Sequence, residues 1–329
     1  MNSFGTLFRI SIFGESHGNA LGVVIDGCPV GLPIHVADFE ADLARRRSGA
    51  KGTTTRQEGD APKIMSGVFN GFSTGAPIAI WFENTNTRSH DYTMFKDIPR
   101  PGHADFVASK KFGGFEDYRG GGHFSGRITA GLVAAGVIAK KIIAPITIDA
   151  KIIEVGGNKN IEQAIEKAIA EKDSIGGIIE CTASNMPIGL GEPFFNSVES
   201  YISHLIFAIP ATKGIEFGAG FAAARMYGSK HNDAFIAING KTQSNNAGGI
   251  NGGISNGNDI VFRVAVKPTS STAKKQHTLN FTENKMVDFE VEGRHDTCIA
   301  LRIPVIIEAV TAIALADLAI IDQQRKKIY

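Results

Sequence analysis

Two long apolar runs constrain this chain more than any other feature. The first, Ile128-Thr129-Ala130-Gly131-Leu132-Val133-Ala134-Ala135-Gly136, follows Arg119-Gly120-Gly121-Gly122-His123-Phe124-Ser125-Gly126-Arg127; the second, Ile299 to Leu318, follows Gly293-Arg294-His295-Asp296. A helix that is apolar on most of its circumference has no face to offer water, so both runs read as helices sandwiched between sheets. An internal echo reinforces the pairing. Ser66-Gly67-Val68-Phe69-Asn70-Gly71-Phe72-Ser73-Thr74-Gly75 precedes one β run, and Gly248-Gly249-Ile250-Asn251-Gly252-Gly253-Ile254-Ser255-Asn256-Gly257 precedes another, Ile260 to Val266. The chain therefore reads as two pseudo-equivalent halves that share a core. Pro304 should bend or delay the last helix, and the polar tail Asp322 to Tyr329 should fray.

Around these runs, alternation predicts strands at Leu7–Phe13, Leu21–Asp26, Lys63–Phe69, Pro77–Glu83, Thr147–Val155 and Ile178–Thr182. Helical spacing predicts helices at Ala37–Arg47, Asn160–Lys172 and Ser197–Phe207, and a further one after His103. Asn84 to Asp91 reads as a polar loop.

Charge is nearly balanced at +1, so broad attraction to nucleic acid or to an anionic membrane is not expected, and anion recognition must be local. Cys28, Cys181 and Cys298 are odd in number and lack CxxC pairing, which argues against a disulfide scaffold or a zinc site. There is no basic segment followed by a long apolar run at the N-terminus, and no uninterrupted apolar stretch of roughly 20 residues is apparent. A reducing cytoplasm is the expected compartment.

Several loops concentrate chemistry. Three successive glycines at the start of the first apolar run permit positive φ and close backbone approach to a ligand, and a helix N-terminus flanked by His123, Ser125 and Arg127 suits an anion. A turn that only packs a core helix is the alternative. Gly14-Glu15-Ser16-His17-Gly18 joins two strands; His17 there is either a reactive group or a turn cap. Arg45-Arg46-Arg47-Ser48-Gly49-Ala50-Lys51 is either a solvated helix end or a set of guanidinium forks for phosphate and carboxylate. Arg100-Pro101-Gly102-His103 turns sharply and brings a histidine and an arginine to one helix start, either to share an anion or to cap the helix.

Gly14 to Pro29 resembles the first signature of the chorismate synthase family. The resemblance continues in order through Arg45 to Gly49, Arg100-Pro101-Gly102-His103-Ala104-Asp105, the central glycine loop, Gln243 to Gly249, Lys267-Pro268-Thr269-Ser270-Ser271 and Gly293-Arg294-His295-Asp296. It spans nearly the whole chain, so residues 1–329 are expected to form a single domain of that family. The chain departs from the family at His123 and Phe124, where arginine and serine are frequent, at Gly126 (alanine), and at Ser48 and Thr297 (proline), which should loosen those two turns.

The resemblance implies an α+β fold, with helices between two antiparallel sheets, and a homotetramer. It implies the last step of the shikimate pathway: 5-enolpyruvylshikimate 3-phosphate loses phosphate and a ring proton to give chorismate. Reduced FMN is the implied cofactor, lending electron density and recovering it as its N5 takes the hydrogen, without net redox change. Arg45, Arg46, Lys51, Arg100, Arg127 and Arg294 are the implied substrate-binding cations. His103 would protonate the departing phosphate, His17 would serve the flavin, and Asp296 with Ser16 and Ser125 would relay the proton onward. His123, Phe124, Ser125, Pro210, Ala211, Gly252, Lys267, Pro268, Thr269, Ser270, Ser271 and Arg294 match FMN-contacting positions. With no dinucleotide-binding GxGxxG unit in view, NADPH would act only indirectly, through an external flavin reductase. Two other readings stay open: a flavin-dependent NAD(P)H oxidoreductase, and a non-catalytic FMN-binding oligomer.

Overall fold

A computed structural model describes residues 2–54, 59–85, 89–291 and 295–324. The first sheet contains β1 (Ser3–Phe4), β2 (Arg9–Gly14), β3 (Ala20–Asp26), β4 (Lys63–Ile64) and, after a two-stranded ribbon of β5 (Val68–Phe69) and β6 (Phe72–Ser73), β7 (Ile78–Glu83). The second contains β8 (Thr147–Val155), β9 (Gly177–Ser184), β10 (Thr212–Phe217) and, after a ribbon of β11 (Ile250–Asn251) and β12 (Ile254–Ser255), β13 (Ile260–Val266). A last ribbon pairs β14 (Gln276–Asn280) with β15 (Lys285–Phe289). The helices are α1 (Glu40–Arg46), α2 (Asp105–Phe112), α3 (Thr129–Ile142), α4 (Ile161–Ala170), α5 (Val198–Ile206), α6 (Gly228–His231) and α7 (Pro304–Gln324).

Strand order exposes the repeat. The first sheet runs β1-β2-β3-β7-β4 and the second β10-β13-β9-β8, antiparallel throughout. Thus β2-β3-β7-β4 corresponds to β8-β9-β13-β10, and each half inserts its ribbon just before the third of these strands and ends in a core helix. The α+β expectation holds. One difference between the halves bears on function: the tight turn joining β2 to β3 is replaced, between β8 and β9, by a longer connection that carries α4.

The layers follow from burial. In β7, Ile78, Ile80 and Phe82 point inward; in β13, Ile260, Phe262, Val264 and Val266 do, with the period of two that a sheet covered on one face demands. Helix α3 packs on β3 and α7 on β8, and the two helices pack on each other. A Cβ on Gly136 would lie 2.3 Å from the Cβ of Ala309, so the glycine sets how closely they cross. Thr129 to Ala139 are all buried, as are Val305 to Leu318.

Helix α7, although interrupted by Glu308 and Asp317, contains an 18-residue window with a mean hydropathy of 2.1, enough by length and composition to cross a bilayer. Here it lies in the protein core, and its two buried acids, Glu308 and Asp317, are committed there. Asp317 accepts backbone N–H bonds from Thr6, Leu7 and Phe8 at 2.7, 2.7 and 2.9 Å. Glu308 holds Arg45, Lys140 and the Ala150 N–H.

Boundaries differ from the sequence reading in instructive ways. The strand expected over Lys63–Phe69 is split, because Gly67 adopts φ +80° and the chain turns out into the ribbon. The helix expected over Ala37–Arg47 starts as a 3₁₀ turn at Val36–Phe39, and the run from Ile299 passes through 3₁₀ geometry before α7 begins at Pro304. Proline has no N–H to lose at that position. The polar loop expected from Asn84 gives way at Ser89–Lys96 to a 3₁₀ segment. Part of that loop, 86–88, and the end of the tail, 325–329, lie outside the described residues.

Candidate active site

The turns that lead into α3 and α7 open on the same cavity, of about 700 Å³, a size suited to small-molecule and cofactor binding. Thr129 lines it from the first helix and Ile303 and Ile306 from the second, so two helix N-termini with their partial positive charge face one space. The remaining wall is drawn from the loops after α1 and α5, from Arg100 to Ala104, from Lys267 to Ser271, and from His295 and Asp296.

The glycine loop before α3 exists because its backbone must coil tightly. Gly120, Gly121 and Gly122 have φ of 61°, 80° and 54°. A Cβ on Gly122 would fall 1.9 Å from the Asp117 carbonyl oxygen, and one on Gly120 would fall 2.5 Å from Cδ2 of His17. Only glycine fits at either position. Behind Gly120 lie Ser16 and His17, both buried; the Ser16 N–H donates to the Gly122 carbonyl, and Tyr92 meets the His17 ring edge-on at 5.1 Å. Ser16 and His17 therefore form the layer behind the cavity wall, while Gly120 and Tyr92 form its surface.

His103 is held by Asp105. Its Nδ1 lies 2.5 Å from Asp105 Oδ1, and Arg100 donates from Nε and Nη2 to the same carboxylate at 2.8 Å each. Burial would raise the Asp105 carboxyl, but Arg100 and His103 outweigh it and hold the group far below the usual carboxylate range. Asp105 thus fixes the Nδ1–H tautomer and leaves Nε2 as the nitrogen available for proton exchange. Arg100 is further committed to Ser271 Oγ at 3.0 Å and stacks over Phe95 at 4.4 Å. It lines the cavity chiefly as a brace.

A second ionic unit lines the same cavity. Asp60, fully buried, bonds Arg46 through one oxygen and Arg127 through the other; Arg127 also donates to Asn84 Oδ1 at 3.2 Å. Burial opposes the Asp60 charge, yet the two guanidiniums lower its pKa overall. Next to it, Asp296 accepts the Thr54 N–H at 2.9 Å and Arg302 Nη1 at 3.3 Å, and Arg302 Nε reaches the Arg46 carbonyl at 3.0 Å. Asp60, Asp105, Tyr92 and Arg302 carried no role in the sequence reading. Asp105 stood inside a quoted motif, but nothing in the sequence pairs Asp60 with Arg127, 67 positions away.

Of the residues expected to act together, the cavity gathers His103, Ser125, Asp296, Arg46, Arg100, Arg127, His123, Phe124, Pro210, Ala211 and Lys267 to Ser271. Five do not line it. Ser16 and His17 stand one layer behind Gly120. Arg45 is drawn to buried Glu308 by two bonds of 2.7 and 2.6 Å. Lys51 pairs with Glu166 of α4 at the surface. Gly252 sits at the tip of the β11–β12 ribbon, in the open. Arg294 lies outside the described residues. His123 is an anchor: its ring nitrogens engage the Gly14 carbonyl at 2.7 Å and Asn2 Oδ1 at 3.0 Å.

The wall also contains buried polar atoms with no hydrogen-bond partner among the described residues: Arg46 Nε, Thr212 Oγ1 and Thr269 Oγ1. Such atoms are rare in a finished interior and mark a place made to receive polar ligand atoms. Lys267, which donates to the Gly102 carbonyl and to Ser270 Oγ at 2.7 Å each, has its pKa lowered by burial and by Lys213. An anion would relieve both effects.

Comparison with known proteins agrees with this geometry. Residues 8–320 match the profile of the chorismate synthase family. The chorismate synthase of Chitinophaga pinensis is 63% identical over 330 residues, covering 100% of this chain and 99% of its own. That of Methanocaldococcus jannaschii is 44% identical over 366 residues, covering 97% and 96%. A solved structure described as a crystal structure of chorismate synthase superposes with a TM-score of 0.74 at 26% identity, over 97% of this chain and 93% of that one.

Proposed function

Because the chain belongs to the chorismate synthase family, whose reaction is the carbon–oxygen lyase step from 5-enolpyruvylshikimate 3-phosphate to chorismate and phosphate, we propose how its own residues perform that step. The family is flavin-dependent; reduced FMN is our reading of the cofactor here. It is supported by the orphaned hydroxyls of Thr212 and Thr269 beside Lys267, Ser270 and Ser271, donors suited to a flavin's polar tail and phosphate. The chemistry supplied by reduced FMN, when bound, is reversible donation of electron density to the allylic system, with no net redox change.

The substrate carries a phosphate and two carboxylates. Arg46 and Arg127, yoked by Asp60, present cations to these anions, with Arg302 and the α3 and α7 N-termini beside them; Arg294 would join them from its turn. His103, with Nδ1–H secured on Asp105, gives its Nε2 proton to the departing phosphate oxygen. Ser125 and Asp296 at the cavity surface, with Ser16 one layer behind, carry the ring-derived proton toward solvent, and His17, packed on Gly120, stabilises the flavin's negative charge. Exclusion of water by the apolar wall of Ile299, Ile303 and Ile306 strengthens each of these interactions. The observation that carries this reading is the presence, in the lining of one cavity, of a carboxylate-held histidine and a carboxylate-yoked arginine pair.

Residues 1–329 act as one domain in this reading, consistent with a core continuous from Phe8 to Leu318. A homotetramer is favoured by the apolar side chains exposed between β10 and β11, among them Phe221, Tyr227, Phe235 and Ile238. Gly252, just beyond that segment, would then meet FMN across a subunit contact. An external reductase would supply the reduced flavin, NADPH acting only through it, and three buried free thiols suit a cytoplasmic setting.

The test is an anaerobic assay with chemically reduced FMN and 5-enolpyruvylshikimate 3-phosphate. Phosphate release with chorismate formation is expected. His103→Ala should slow phosphate loss about 10²-fold or more while FMN affinity stays nearly intact; collapse of flavin binding in that variant would refute the assignment of His103.

A further inference from the structure

We propose that Glu116 is a relay residue that returns a proton to His103 between turnovers, through a second cavity behind the active site. The inference rests on the reading of His103 given above. It starts from a problem of proton balance. Each turnover breaks the His103 Nε2–H bond and forms an O–H bond on phosphate, so Nε2 must regain a proton from solvent before the next substrate reacts. A route that reaches Nε2 from outside the main cavity would return this proton without crossing the bound cofactor and substrate.

A side cavity of about 250 Å³ supplies one. It lies between α2, the 114–121 loop and Phe281, and it shares His103, Ala104 and Phe124 with the main cavity. Gly121 lines only the side cavity, and a Cβ there would stand 3.5 Å from His103 Nε2. The exchangeable nitrogen therefore borders this space, which has room for several waters at about 30 Å³ each.

Among the titratable groups around that space, all but one are engaged. Asp105 is bound to Arg100 and His103, Asp117 to Arg119 at 2.8 Å, Lys96 lies over the Tyr118 ring at 4.2 Å, and Lys110 faces the Phe106 ring. Glu116 makes no hydrogen bond or ion pair among the described residues, and its Oε2 is buried without a partner. A carboxyl with no partner among the described residues, lining the same side cavity as a proton-donating histidine, is free to cycle. Its O–H bond breaks as Nε2–H re-forms, the proton passing through water in the shared cavity, and the carboxylate then takes a proton from solvent.

The experiment compares single-turnover and steady-state phosphate release, anaerobically with reduced FMN, for the wild type, Glu116→Gln, Glu116→Asp and His103→Ala. Because Glu116 holds no partner, the Gln variant should melt at the wild-type temperature. Its first turnover should match the wild type within about twofold, while its kcat falls about tenfold with KM unchanged, less than the 10²-fold that loss of a general acid itself costs. Added imidazole or acetate should restore kcat, and Glu116→Asp should retain part of it. An unchanged kcat in Glu116→Gln, a first turnover slowed as much as kcat, or no response to the added acids would each overturn the relay. If His103→Ala keeps a wild-type first turnover, the reading of His103 fails instead, an outcome the Glu116 variants alone cannot mimic.

Discussion

Replacing Asp60 by asparagine tests the physical centre of the site. Asp60 is 3% exposed, and the guanidiniums it joins are buried too, Arg46 at 2% and Arg127 at 7%. Asparagine keeps the shape and one acceptor but loses the charge, leaving two buried cations facing each other. Removing one member of a buried ionic pair costs about 3–5 kcal/mol, and with two arginines released the upper part of that range applies. Against a total stability of about 5–15 kcal/mol, this is a third or more. At about 2 °C per kcal/mol for a large chain, the melting temperature should fall by roughly 8–10 °C. The assay is thermal and urea unfolding of wild type and Asp60→Asn, each in chloride and in phosphate at matched ionic strength. Phosphate should stabilise the variant more than the wild type, since a bound dianion takes over the missing charge; at a concentration 100 times its Kd the gain reaches about 2.7 kcal/mol. A loss under about 1 kcal/mol, or equal gains from phosphate in both proteins, would refute the claim that Asp60 holds the arginine pair against its own repulsion.

Acid should reveal the same carboxylate. Asp60, Asp105 and Glu308 all have folded-state pKa values lowered below their ordinary ones, so their contribution is complete above the unfolded values near 4 and is lost as pH falls through the folded ones. The urea midpoint should decline steeply below about pH 4, and less steeply in Asp60→Asn. Gly136→Val should destabilise by about 1–3 kcal/mol or more, because its side chain would collide with Ala309 across the helix crossing; a neutral urea midpoint would show that the helices can separate freely. Asp317→Ala should cost about 1–3 kcal/mol or more by stranding the buried Phe8 N–H and the half-buried Leu7 N–H, with early proteolysis near the N-terminus as a second readout.

Regular elements were legible where a local period carried them. Thr147–Val155 and Ile260–Val266 stand as expected, because alternation is written into consecutive residues. The short strand β10 and the β14–β15 ribbon escaped, being held by pairing partners distant in the chain. The basic run at Arg45 to Lys51 shows the limit most clearly. Its residues are chemically alike, yet only Arg46 and Arg47 line the cavity, since Glu308 captures Arg45 and Glu166 captures Lys51. The capture of Lys51 depends on α4, which occupies the place of a tight turn in the other half.

By itself, then, the order of amino acids determined the two halves, the burial of their terminal helices and the set of loops bearing reactive groups, because each is a pattern among near neighbours. Tertiary structure alone decided which carboxylate restrains which base: Asp60 with Arg127, Asp296 with Arg302, and Glu116 left without a partner among the described residues in a cavity it shares with His103. A charge in a sequence is only a capacity for interaction, and its role is settled by what packing brings within about 3 Å of it and by how much water packing removes.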